Sequence, residues 1–141
     1  MLFNFQKSGK YFSKSKCRFL LQYHLIFVVK YRKQLLTGRV EQLVKNSCLE
    51  VSNKYDFEIK YMETDKGHIH FMIQTTPQIS IGQVVRVLKQ QTTIYLWKIF
   101  SNYLNRFFWK ENTFWSDGYF VTTIGEVSQE TLKKYIESQG S

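Results

Sequence analysis

The period of hydrophobic alternation switches repeatedly along this chain, and the order of the switches restricts its possible folds more than any other feature. Leu21, Tyr23, Leu25, Phe27 and Val29 alternate with Gln22, His24, Ile26 and Val28, the period-2 signature of a strand. From about Arg39 to Tyr55 the apolar positions 40, 43, 44, 48, 51 and 55 fall on one helical stripe. Period 2 returns with Phe57, Ile59 and Tyr61 set against Glu58, Lys60 and Met62. Turn chemistry at Thr64-Asp65-Lys66-Gly67 then leads into another alternating run, His68 to Gln74. Ser80 with Gln83 three residues on predicts a capped helix that runs to about Phe100, on the stripe Ile81, Val84, Val85, Leu88, Thr92, Tyr95, Leu96 and Ile99. Residues 101–114 show no clear period, and Tyr119 to Ile124 reads as a fourth strand. Ser128 predicts the N-cap of a short last helix, with Val127 and Leu132 spaced as a hydrophobic staple.

The first six elements, strand, helix, strand, strand, helix, strand, predict an α+β fold. It is a ferredoxin-like or RRM-like antiparallel sheet with two long helices on one face and a final tyrosine-bearing helix. The other face of the sheet stays open. A chain of 141 residues that is 43% hydrophobic and 17% aromatic suits one domain, 1–141, and is no disordered or low-complexity tail. Such a scaffold hosts many activities, so function has to come from particular residues.

Charge narrows the choice of partner. All of the formal net charge of +9 is accounted for by residues 1–40, where nine basic side chains meet no acid. A second acid-free stretch lies between Asp65 and Glu111 and carries Arg86, Lys89, Arg106 and Lys110 among its cations. Such blocks give the field a direction, as expected of a protein that meets a polyanion. Cys17 and Cys48 fit neither a zinc pattern nor a disulfide framework, which favours reduced thiols inside a cell. The apolar run Phe19–Val29 is too short for a membrane span, and no small-residue cleavage site follows the basic N-terminus.

His68 and His70 stand at i, i+2 in a predicted strand whose other parity is Ile69, Phe71 and Ile73, so both imidazoles share one face while the apolar three meet the helices. That spacing allows two ligands to one metal, although two histidines on a sheet surface are more often solvated or hydrogen-bonded than ligating. Tyr135 and Gln139 are four apart and stack on one side of the last helix, where they could serve chemistry or simply edge a packing stripe. Phe107-Phe108-Trp109, flanked by Arg106 and Lys110, reads either as a platform for unpaired bases or as loop packing. No phosphate-cradling glycine motif is present, and no nucleotide cofactor is expected.

Three motifs in order, His68-Ile69-His70, Trp115-Ser116-Asp117-Gly118-Tyr119-Phe120 and Tyr135-Ile136-Glu137-Ser138-Gln139, resemble the single-tyrosine HUH transposases of small insertion sequences that move as single-stranded DNA. His24 followed by Lys30-Tyr31-Arg32-Lys33 resembles the first strand of that family and its basic exit, so the likeness spans about residues 20–139. It implies Tyr135 as the nucleophile on a phosphodiester, giving a 5′-phosphotyrosine and a free 3′-hydroxyl. It also implies His68, His70 and Gln139 as ligands of a divalent metal, magnesium in the first place with manganese able to serve. The implied partners are single-stranded DNA with hairpin ends and a second copy of the chain, a homodimer in which the tyrosine helix can dock on the partner's histidine pair. Gly125 would then be a hinge.

Lys14, Lys16, Lys30, Arg32, Lys33, Arg86 and Lys89 are the candidate phosphate contacts. No general base adjoins Tyr135 in sequence, and Glu137 is expected elsewhere on the helix. The expected location is the cytoplasm of a prokaryote. A non-catalytic RRM-like single-strand binder and a related HUH replication or conjugation nuclease are the competing readings.

Overall fold

A computed structural model describes residues 6–8, 11–14, 17–123 and 129–139. Its main sheet is built from β4 (Leu21–Val28), β5 (Phe57–Thr64), β6 (His68–Thr75) and β7 (Phe120–Thr123), in the spatial order β5-β6-β4-β7 with every pair antiparallel. Helices α1 (Gly38–Lys54) and α2 (Ile81–Leu104) supply the two crossovers, which is the expected ferredoxin-like topology. A three-stranded antiparallel meander, β1 (Gln6–Ser8), β2 (Tyr11–Lys14) and β3 (Cys17–Phe19), precedes it and was not foreseen from the sequence. The last helix, α3, covers Gln129–Gln139. Gly125, Val127 and Ser128 lie outside the described residues, as does the side chain of Leu132. Among the described residues no helix is long and apolar enough to cross a membrane.

The core lies between one sheet face and the two long helices. Leu25 and Phe27 on β4, Val29 just beyond it, and Ile69, Phe71 and Ile73 on β6 are buried against Val44, Cys48 and Val51 of α1 and Val84, Leu88 and Leu96 of α2. Each large side chain removed from water in this way contributes roughly 1.5–3 kcal/mol. The capping box that opens α2 forms as predicted: Gln83 N–H donates to Ser80 Oγ at 3.1 Å, and Ser80 N–H donates back to Gln83 Oε1 at 2.9 Å. The helix continues past a distortion at Phe100 (φ −115°, ψ 27°) to Leu104, so part of the stretch without a clear period is helical.

One strand departs from its predicted alternation. A β-bulge between Ile59 and Tyr61 inserts Lys60 without a partner and shifts the register, so Tyr61 pairs with Met72 and Met62 with Phe71. Parity inverts beyond the bulge. Tyr61, grouped by alternation with Phe57 and Ile59, instead joins the open face, and Met62 turns inward to pack on the core.

Candidate active site

The open face is ordered by strand register. Residues directly opposite each other in an antiparallel pair share a face, so Ile26 stands beside His70 and Val28 beside His68, with Glu63 flanking His70 from β5 and Phe120 flanking Ile26 from β7. His24 is the diagonal neighbour of His70. Its Nδ1 lies 3.1 Å from His70 Nε2, and the two rings are tilted by 41° at a centroid distance of 5.2 Å. The Tyr61 hydroxyl is 3.2 Å from the other ring nitrogen, His70 Nδ1. Both nitrogens of His70 are therefore engaged, and a polar chain runs Tyr61, His70, His24 across three strands.

Burial holds both motif histidines below their ordinary pKa. At His68 the Asp65 carboxylate opposes the shift, and at His70 the neighbouring His24 reinforces it. A neutral imidazole has a lone pair to offer a cation, which at His70 Nε2 requires the His24 ring to give way. Burial, with a smaller effect from Glu63, raises the Tyr61 phenol.

A cavity of about 920 Å³ sits over the pair, walled by Ile26, Tyr61, Glu63, Thr64, Asp65, His68 and His70 from the sheet side. Its remaining wall is α3, through Lys133, Ile136 and Glu137. Glu137 thus faces the histidine pocket and lies on a different side of the helix from Tyr135, because i, i+3 and i+4 from Lys133 make one helical stripe. Tyr135 and Gln139 occupy the neighbouring stripe, which is turned toward β7. The Tyr135 ring packs on Phe120 at a centroid distance of 5.3 Å. Burial, with a lesser effect from Tyr119, pushes its phenol up to about 12, and the hydroxyl finds no hydrogen-bond partner among the described residues. The Gln139 carboxamide rests against Gly118, where any Cβ would collide with its Oε1. The structure therefore lays the tyrosine helix across the face that carries the histidines but does not place Tyr135 or Gln139 in the pocket wall.

Lys89 has a local task. Its ammonium donates to the carbonyls of Ser116 (2.8 Å), Asp117 (3.2 Å) and Gly118 (2.8 Å) and lies over the Phe27 and Tyr119 rings. All three N–H bonds are directed at this loop, so in this structure Lys89 holds the seat of Gln139 instead of presenting its charge outward. Burial lowers its pKa against the pull of Asp117. The same loop is pinned by Trp115 Nε1 donating to Thr92 Oγ1 at 2.9 Å and by Ser116 N–H donating to Val28 O at 2.8 Å. Of the other candidate phosphate contacts, Lys30 is paired with Glu111 at 2.9 Å, which raises its pKa, whereas Arg32 and Arg86 are exposed and Lys33 is half-buried. Lys16 and the Lys14 side chain lie outside the described residues.

The donor set fits a divalent cation in part. Two neutral imidazoles share a face, and the Tyr61 hydroxyl orients His70 in the way an outer partner fixes a ligating ring. Among the described residues no three His, Cys, Asp or Glu side chains converge into a metal-holding group.

Residues 17–139 match the family described as Transposase IS200 like. The chain belongs to that family. It is 33% identical over 119 residues to the ISDra2 transposase TnpA of Deinococcus radiodurans, which covers 84% of each chain. It is 26% identical over 127 residues to the transposase of insertion sequence element IS200 from Salmonella typhimurium, with 90% of this chain and 82% of that one covered. A crystal structure described as a candidate transposase of Deinococcus radiodurans superposes with a TM-score of 0.82 at 26% identity, over 92% of this chain and 98% of that one. A REP-associated tyrosine transposase bound to a REP hairpin shares the fold, with a TM-score of 0.55 at 14% identity over 90% and 70% of the two chains.

Tyr61 and Glu137 are the pocket residues that sequence reasoning missed. The bulge that exposes Tyr61 leaves no mark in the alternation. The orientation of α3 depends on how it docks, which its own stripe does not decide.

Proposed function

We propose that this IS200-like transposase binds hairpins in the single-stranded ends of an insertion sequence and cuts and rejoins them through Tyr135. The observation that carries the reading is the placement of α3, with Tyr135, across the same sheet face that holds His68 and His70 side by side. In the reaction the Tyr135 oxygen attacks a phosphodiester phosphorus, its proton leaves, and the bond to the 3′ oxygen breaks. The products are a 5′-phosphotyrosine and a 3′-hydroxyl. The covalent link conserves the phosphoester, so rejoining needs no nucleotide cofactor.

His68 and His70, joined by Gln139, would hold a divalent metal, magnesium with manganese able to serve. Bound there, it would polarise the scissile phosphate and offset charge on its oxygens. Imidazole suits manganese better than magnesium, which makes the manganese reaction the sharper assay. A phenol held near pKa 12 between Phe120 and Tyr119 is a poor nucleophile at neutral pH. The reactive geometry therefore requires α3 to roll by about one residue, roughly 100°, or to be delivered from a second copy to this pocket. A homodimer supplies the second route.

The test is incubation with labelled single-stranded DNA carrying the hairpin, with magnesium or manganese, followed by denaturing electrophoresis. A covalent adduct is expected with the parent chain and none with Tyr135→Phe, while hairpin binding persists. An undiminished adduct in Tyr135→Phe would remove Tyr135 from the role, and no adduct under any metal would favour a pure binder. Mixing Tyr135→Phe with His68→Ala chains restores activity only if the helix docks on its partner.

A further inference from the structure

Outside the histidine pocket, the turn at Lys30–Lys33 and the loop Arg106–Thr113 enclose a second cavity of about 470 Å³. Its walls are aromatic. Trp109 is 74% exposed and Tyr31 56% exposed, the two most exposed large apolar side chains among the described residues, and both line this one space. Phe108 is buried beneath them and stacks on the Tyr31 ring with planes 28° apart. The three aromatics of the Phe107-Phe108-Trp109 run therefore divide the two readings of that motif: Phe108 is packing, and Trp109 is displayed.

The display is built. Tyr31 and Arg32 adopt φ of 60° and 51°, a left-handed conformation disfavoured for side chains of this kind. They are held there by Lys30 N–H donating to Phe114 O and Arg32 N–H donating to Val29 O, both at 2.9 Å, and by the ion pair from Lys30 to Glu111 across the cavity mouth. Lys110 Nζ lies 5.0 Å from the Trp109 ring centroid, and Arg106 lies 5.9 Å from the Phe107 ring. With Glu111 paired to Lys30, Lys110 is the cation that lines the cavity beside the rings, and Arg106 lies over the Phe107 face. Flat π-faces beside cations are what a single-stranded nucleic acid needs, a surface for each base and a charge for each phosphate. α3 touches the Lys30–Arg32 turn, so this corner adjoins the helix that also walls the histidine pocket.

We propose that Tyr31 and Trp109 form a stacking site for an unpaired nucleobase of the single-stranded DNA flanking the hairpin. The site rests on the single-strand reading of the function, and it adds a subsite that grips bases without regard to sequence. Trp97 and Trp115 are buried and donate to Thr113 O and Thr92 Oγ1, so Trp109 is the tryptophan whose emission a stacked base can quench.

The experiment titrates the protein with three DNAs, a flush hairpin, the hairpin with a single-stranded thymidine flank, and the hairpin with an abasic flank of equal length, following both anisotropy and tryptophan emission. Only the thymidine flank should quench, and Trp109→Phe should remove most of the quenchable signal. Trp109→Ala and Tyr31→Ala should each lower the affinity contributed by the flank by about tenfold and leave flush-hairpin affinity unchanged. Equal quenching and affinity with the abasic flank, or full flank affinity in Trp109→Ala, overturns the site while leaving hairpin binding intact. Failure of all three DNAs to bind would instead overturn the single-strand reading itself. Quenching on raising protein concentration without DNA would assign the corner to a second copy and also overturn the proposal.

Discussion

The two faces of the sheet are made by alternate residues of the same strands, yet they are organised on opposite principles. On the helix side, Leu25, Phe27, Ile69, Phe71 and Ile73 are essentially without solvent contact and pack in one apolar core. On the other side, half-buried His24 and His70 meet exposed Tyr61 through ring nitrogens and a hydroxyl, and the helix that walls the pocket carries a tyrosine hydroxyl with no partner among the described residues. One face maximises removal of apolar area, and the other keeps lone pairs accessible. The proposed chemistry sits on the face that contributes less apolar burial.

The sharpest way to break this contrast is a pair of substitutions one residue apart. Phe71→Ala should lower unfolding free energy by about 3–5 kcal/mol, because a buried ring leaves a cavity that the close-packed core cannot fill. His70→Ala should change stability by less than about 1 kcal/mol and abolish the DNA adduct. Denaturant titration and the adduct assay read the two effects. If His70→Ala destabilised as much as Phe71→Ala, the open face would be a second core and the division would fail.

A smaller effect isolates the polar chain. Tyr61→Phe keeps the ring and removes the hydroxyl that faces His70 Nδ1. Loss of such an outer partner weakens metal binding by about 10- to 100-fold, measurable by calorimetry with manganese, at unchanged thermal stability. Unaltered manganese affinity would mean that His70 is oriented by His24 alone.

How much of this was legible depends on the length scale of each cause. Strand and helix identity, and the shared face of His68 and His70, follow from periodicity within single segments, and the Ser80 cap from two residues three apart. Tyr61 was misplaced because a bulge at Lys60 is a property of pairing with β6, not of the strand. Lys89 read as a surface cation because its helix position is polar, whereas its three acceptors come from a loop 27 to 29 residues later. The face of α3 turned to the histidines was likewise invisible. Its amphipathic stripe allows several rotations, and contacts with Phe120 and Gly118 choose among them.

Gly118 tests that choice gently. A methyl group there must displace the Gln139 carboxamide, which is the end of a flexible side chain, so Gly118→Ala should cost less than about 1 kcal/mol in global stability. The Gln139 side-chain amide resonances should nevertheless shift while core amides stay in place. Unmoved Gln139 signals would show that α3 is seated elsewhere in solution.

The smallest expected effect bears most directly on how α3 is used. Tyr135 carries a hydroxyl without a hydrogen-bond partner among the described residues, against Phe120. An unpartnered buried hydroxyl is costly, so Tyr135→Phe should leave stability unchanged or raise it by up to about 1 kcal/mol, even as it removes all adduct formation. A helix docked for stability alone would prefer phenylalanine here. The proposed function accounts for a phenol at this position by a second placement of α3, in which the oxygen would meet DNA. A thermal melt of Tyr135→Phe that falls by several degrees would mean that the hydroxyl is already bonded in the docked helix, and the case for that second position would be lost.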